Sequence, residues 1–387
     1  MRRNCLDKWE IVYYVMYNDT YSDGGEKMAT IKDVAKRAGL STTLVSRYLN
    51  GQKGVSPASR EKITAAIREL NYRPNGIARS LVRQETQSIG IVLDNICAPF
   101  MAPLITGLQR GAEEFDTENK YNVIFCSSDG DMEKKKRHIQ FLTQGRVDGI
   151  IIYGSLTTDD ELIRQLADTS FPFLLIENDI YGVEANKVVI DNVGGAYRAT
   201  RYLIEHGYRR IAHIAGNMNL KITSDRLNGY IRALQDSQIP VDQNLILYPD
   251  FRSIRMKETG TGRQADMIYL EAGYREMKKL LEREELPEAV FFATDISAFG
   301  AMKAMEEAGL KVPEDIGMVG FDDEMPGDYG CVCQQITTMR QPLYEAGYLG
   351  IKNLIRSVKD PEHKKERVVL QTELIERKSC KFKKTEM

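Results

Sequence analysis

The chain has 387 residues, 42% of them apolar, and a formal net charge of −2; this is too long for one ordinary domain and apolar enough for two or three packed cores. No apolar run approaches the ~18 residues that a membrane-spanning helix needs, which argues against a membrane partner. Six cysteines at 5, 97, 126, 331, 333 and 380 show no CxxC pair, and the four histidines are scattered too. That pattern fits free thiols in a reducing compartment rather than a metal site, so the expected location is the cytoplasm, with no metal and no cofactor.

Residues 1–27 open with two arginines and an apolar patch, but Asp7, Lys8 and Glu10 interrupt it and no small-residue cleavage site follows. This is not the layout of a signal peptide. The stretch matches nothing after it and is expected to be a non-native or disordered extension.

From Ala29 the pattern becomes that of short helices. Ile31, Val34, Ala35 and Ala38 recur at helical spacing, with Thr30 placed to cap the start and Gly39 to end the helix in a left-handed turn. Ser41 caps a second helix with Leu44, Val45, Tyr48 and Leu49 on its inner side and Thr42, Thr43, Ser46 and Arg47 on its outer side. Ser56-Pro57 is a cap residue followed by proline at the first helical position, and opens a third helix with the stripe Ile63, Ala66, Ile67 and Leu70. Helix, glycine-containing turn and a helix with a hydrogen-bonding outer face form a helix-turn-helix pattern. Between Ala29 and Glu85 there are 11 Lys and Arg against 4 Asp and Glu, leaving 42 against 51 elsewhere. A basic module on an acidic body points to phosphate contacts at one end only.

The segments TIKDVAKRAG, STTLVSRYLNG and YRPNGIARSL occur in this order at the spacing of the LacI/GalR family of bacterial transcription regulators, which the chain therefore resembles. The resemblance implies that the helix-turn-helix domain covers 28–73, with Met28 as the natural start, and that a hinge helix and linker cover 74–86. The second helix would enter the major groove of a double-stranded operator. There Arg47 can fork onto guanine, and Thr42 and Thr43 can offer hydroxyls and methyls to base edges. Ser46 would meet phosphate or a neighbouring helix, and Lys53 phosphate or a base. In the hinge, Pro74 favours an extended Arg73, Asn75 can cap a short helix, and Leu81 suits a minor-groove wedge; packing of Leu81 on the core is the alternative.

After Gln87, strand-like runs alternate with helical stretches. The runs are SIGIVLD, NVIFCS, DGIIIY, FPFLLIE, KVVID, RIAHIAG, NLILYP, AVFFATD and IGMVGF. Such alternation predicts an α/β fold with doubly wound parallel sheets, and the number of strands suits two lobes facing across a cleft. The resemblance extends over this region as a core of the periplasmic-binding-protein type spanning 87–387. Chain crossings are expected near Asp191, Gly320–Thr338 and Arg367. They divide the core into lobe 1 (about 87–191 and 338–366) and lobe 2 (about 192–337 and 367–380). The polar stretch 251–269 reads as an inserted loop.

Residues following the strands should line the cleft. Arg226, Thr294 and Asp322 match the family's effector-binding positions. Phe100 could cover an apolar sugar face or belong to the core; Asp295 could bind hydroxyls or cap its helix. The resemblance implies a homodimer on a near-palindromic operator, with affinity set by a small effector, a sugar or sugar phosphate. The resemblance favours a repressor of carbohydrate-utilisation genes, released by a sugar. A periplasmic-type sugar-binding protein is the competing reading, and the helix-turn-helix argues against it. An α/β enzyme is opposed by the absence of GxxxxGK[ST] and of GxGxxG after the first strand.

Overall fold

The computed structural model describes residues 29–49, 51–73, 85–98, 100–115, 121–254, 264–324 and 335–382. The 1–27 extension, most of the 74–86 hinge with Asn75 and Leu81, and the middle of the 251–269 insertion lie outside the described residues. The chain divides into two compact units, one up to Gln84 and one from Glu85.

The first unit holds α1 (Ile31–Ala38), α2 (Thr42–Leu49) and α3 (Pro57–Glu69). The Thr30 side chain accepts from the Asp33 amide while the Asp33 carboxylate accepts from the Thr30 amide, a reciprocal capping box. Gly39 ends α1 at φ 66°, a conformation open to glycine at no steric cost. Val34, Ala35, Val45, Val55, Ile63 and Ala66 form the core. Tyr48 Oη and Thr64 Oγ1, 2.7 Å apart, join α2 to α3.

The second unit contains two six-stranded sheets. The first comprises β1 (Ser88–Leu93), β2 (Asn122–Ser127), β3 (Gly149–Tyr153), β4 (Phe173–Ile176), β5 (Asn186–Ile190) and β11 (Arg367–Leu370). They lie in the order β11-β5-β4-β3-β1-β2, and all pairs are parallel. The second comprises β6 (Ile211–Ile214), β7 (Ile246–Leu247), β8 (Ala289–Phe292), β9 (Gly317–Asp322), β10 (Thr337–Arg340) and β12 (Glu373–Ile375), in the order β12-β10-β9-β8-β6-β7. Only β12 runs antiparallel to its neighbour.

Helices α4 (Met101–Phe115), α5 (Met132–Thr143), α6 (Asp160–Ala167) and α11 (Leu343–Lys359) flank the first sheet. The second is flanked by α7 (Asn192–Glu205), α8 (Lys221–Asp236), α9 (Gln264–Leu281) and α10 (Asp295–Glu307). Both faces of each sheet are therefore covered, which is why β3, β4, β5, β6 and β8 are buried along their whole length.

The chain passes between lobes at Asp191, at Gln341–Pro342 and at Gln371–Thr372. The first position agrees with the sequence reading, and the other two do not. β10 belongs to the second sheet, so the crossing expected between Gly320 and Thr338 falls after Arg340. β11 starts at Arg367 but pairs with β5 in the first sheet, so the last crossing follows Leu370. The physical reason is that β11 and β12 are half-exposed edge strands and β10 opens on two threonines, so none of them carries the fully buried apolar run of the central strands.

Candidate functional site

In the first unit, Val45 and the partly buried Leu44, Tyr48 and Leu49 anchor α2 to the core, which turns its other side outward. Thr42, Thr43 and Arg47 are exposed and Ser46 is half-buried. With Ile31 and Gln52 they line one shallow depression. The Gln52 amide donates to the Arg47 carbonyl at 2.9 Å, which fixes the turn that presents exposed Lys53. Gln52 was not among the residues expected from sequence; its only signal was its place just after Gly51.

In the second unit, the carboxyl ends of the strands face a cleft between the lobes. Arg226 on α8 is 2% exposed. Its Nε donates to Asn192 Oδ1 at 2.9 Å, its Nη1 donates to the Ala293 carbonyl, and Nη1 lies 3.1 Å from Asp322 Oδ1. The guanidinium also lies over the Phe321 ring, 3.8 Å from its centroid. Asp322 stands at the end of β9 at φ 113°, a left-handed value that only the surrounding bonds can hold for a non-glycine residue. Gln341 Nε2 donates to its Oδ1 at 2.7 Å. Burial pushes Asp322 up to about 6, against the opposing pull of Arg226 and Gln341. The structure thus brings Arg226 and Asp322 together.

The other expected cleft residues are placed differently. Thr294 is the N-cap of α10 and its hydroxyl accepts from the Ser297 amide. Asp295, 2% exposed, is not the cap. Its carboxylate accepts the Glu324 amide at 2.9 Å and the Thr338 hydroxyl at 2.8 Å. A side chain on Gly320 would meet that carboxylate at 1.9 Å, so glycine there leaves the room it needs. Asp295 therefore pins β9 to β10 rather than offering free oxygens to a ligand. Phe100 packs, partly buried, on the first-lobe core.

Two charged groups were missed from sequence. Glu177 follows β4 and is 5% exposed. One of its oxygens accepts the Ile190 amide at 3.1 Å, and the Asn192 side chain also favours the carboxylate, although no bond of ordinary geometry reaches its second, buried oxygen. Burial, only partly offset by Arg226, pushes this carboxyl up to about 7. Lys135 is 1% exposed between Asp94, at 2.5 Å, and Asp159; in sequence it is hidden inside a lysine run that reads as solvated.

The lobes also touch directly. Leu156 and Leu220 form an antiparallel bridge, with the Thr157 amide donating to Asn219 and the Lys221 amide to Ser155. Lys221 Nζ reaches Asp160 at 2.6 Å and Asn178 at 2.9 Å. Among the described residues no cluster of His, Cys, Asp or Glu could hold a metal, and no helix is long and apolar enough to cross a membrane.

Comparison with known proteins gives three family matches, the last two overlapping. Residues 30–75 match the family model of bacterial regulatory proteins, lacI family. Residues 86–257 match that of periplasmic binding proteins and the sugar binding domain of the LacI family, and residues 200–380 a periplasmic binding protein-like domain. The chain is 33% identical over 356 residues to the HTH-type transcriptional repressor PurR of Vibrio atlanticus, covering 92% of this chain and 99% of the relative. Among solved structures it is similar to the Lac repressor dimer bound to operator and the anti-inducer ONPF (TM-score 0.76, 26% identity, 91% and 99% of the two chains). It is also similar to a complex of the transcriptional regulator CelR with cellobiose (TM-score 0.64, 29% identity, 91% and 99%).

Two outcomes follow from this geometry. Glu177 binds its proton more tightly folded than unfolded, so the stability it contributes is full below the ordinary carboxylate range and is lost as pH rises through about 7. Glu177→Gln should raise the core's stability at pH 8 by about 1–3 kcal/mol in urea melts and flatten its loss between pH 6.5 and 8; an unchanged pH profile would contradict the assignment. Lys221→Met should cost only about 0.5–1 kcal/mol, because the pair is partly exposed. Hydrogen exchange should nevertheless rise at 155–157 and 219–221, whereas unchanged protection there would mean that Lys221 does not hold the lobes.

Proposed function

The chain belongs to the LacI family of bacterial regulatory proteins, and from that premise we propose that it represses carbohydrate-utilisation genes under the control of a sugar-like effector bound between its lobes. The observation that carries this reading is an exposed polar face on α2 in a chain whose second unit holds a cavity between two lobes, with the buried Arg226–Asp322 pair at the strand ends of the second lobe. Arg47 would read guanine, with Thr42 and Thr43 on neighbouring base edges, Ser46 on phosphate or a neighbouring helix, and Lys53 on phosphate or a base. One module of this size reads too few base pairs for a genome, so a homodimer on a near-palindromic operator is the working unit, as the Lac repressor dimer is on its own operator.

In the cleft, Arg226 and Asp322 would share vicinal hydroxyls as donor fork and acceptor, with Phe100 against an apolar sugar face. Binding would change how the lobes close, and residues 74–84, which join the two units, would carry that change to α2 as a coupling of about 1–3 kcal/mol. Regulation of this kind places the protein in the cytoplasm and requires no turnover. A periplasmic binder would need the same cleft, but has no use for the first unit.

Arg47→Ala tests the reading face. In fluorescence anisotropy with DNA from upstream of its own gene, the variant should lose about tenfold or more in preference for the operator over random DNA. Its affinity for random DNA and its melting temperature should stay close to wild type. Undiminished selectivity would sink the assignment of α2.

A further inference from the structure

The charges round the cleft narrow the effector class, an inference that rests on the cleft reading above. A cavity of about 550 Å³ there is lined by the acids Glu177, Asp179, Asp191 and Asp225 and by the bases Lys221 and Arg367. The bases are already matched. Lys221 pairs with Asp160 at 2.6 Å, and Arg367 with Asp179 at 2.7 Å, which also takes Lys187 at 2.8 Å. Arg226 faces Asp322 at 3.1 Å, and Arg198 lies 3.8 Å from Asp191.

Among the described residues this leaves two lining carboxylates without an ion-pair partner. Glu177 is 5% exposed, lines the cavity and has one oxygen with no hydrogen-bond partner. Asp225 on α8 lines the same cavity, where burial makes ionisation harder, Arg226 and Lys221 ease it, and the charges of Asp191 and Asp179 oppose it. A neutral hydroxyl can satisfy an orphaned oxygen but does nothing to favour the ionised form of a buried carboxyl that Arg226 only partly compensates. A phosphate would add negative charge beside both carboxylates and find the nearby guanidinium and ammonium groups engaged. A cation with several N–H donors satisfies the oxygen and balances the charge together.

We infer that this cleft takes an effector carrying a protonated amino group beside its hydroxyls, an aminated sugar or similar amino-polyol, and not a phosphate ester. Glu177, which lines the cavity, is then the specificity-determining residue, holding the ammonium group. This departs from the sugar phosphate that the sequence left open.

The test is calorimetric titration of the full chain with matched sets: glucose, glucosamine and glucose 6-phosphate, with the galactose and mannose counterparts. In at least one set the amine should bind about tenfold or more tightly than its parent, with the phosphate weaker than both. Glu177→Gln should remove that preference, bringing the amine to within about threefold of its parent. The inference is overturned if no aminated member outbinds its parent, sets with no binding included, if a phosphate binds best, or if Glu177→Gln keeps the preference. Operator anisotropy of the same preparation separates this from failure of the regulator reading: selective DNA binding without amine preference overturns only the ligand class, whereas loss of selective DNA binding overturns the function itself.

Discussion

The second unit is organised round one desolvated guanidinium. Arg226 ties α8 to the Asn192 side chain at the first lobe crossing, to the carbonyl of Ala293 after β8 and to Asp322 at the end of β9. Four segments distant in sequence are thus fixed to one planar group. A charge buried this deeply is tolerated only when its partners are complete, and removing one partner of such a pair typically costs about 3–5 kcal/mol. The same arrangement holds the unusual backbone of Asp322 and partly offsets the burial that raises its carboxyl.

That arrangement leaves the cleft charged but unfinished. Asp322 keeps one oxygen outside the Arg226 and Gln341 contacts, and Glu177 keeps one with no partner. Lys221, one turn before Arg226 on α8, binds Asp160 and Asn178 of the other lobe. A ligand that rearranges Arg226 therefore acts on the helix that carries the direct lobe-to-lobe contact. Coupling between a ligand site and another site needs an element with two arrangements, and the bridge of Leu156 with Leu220 beside Lys221 is the direct contact between the lobes.

Much of this was legible in the sequence because the signals are local. Thr30, Gly39 and Ser56-Pro57 mark helix ends through backbone groups a few residues away, and each is found at the cap expected. The nine apolar runs became strands because sheets covered on both faces need continuous apolar sequence. What failed depends on distant partners. Asp295 looks like a cap or a ligand residue until Thr338, 43 residues on, takes its oxygens. Lys135 is indistinguishable from its neighbours until Asp94 and Asp159 close on it. The later lobe crossings were misplaced because three short edge or half-polar strands carry no period of their own.

The most direct measurement is operator anisotropy of Arg226→Gln beside wild type, each titrated with a panel of sugars and amino sugars. If Arg226 is the joint of the cleft, some compound will change the wild type's operator affinity by about fivefold or more. The variant, still bound selectively to the operator, will not respond to it. A variant that responds as wild type does, or a wild type that no compound shifts, would contradict the account.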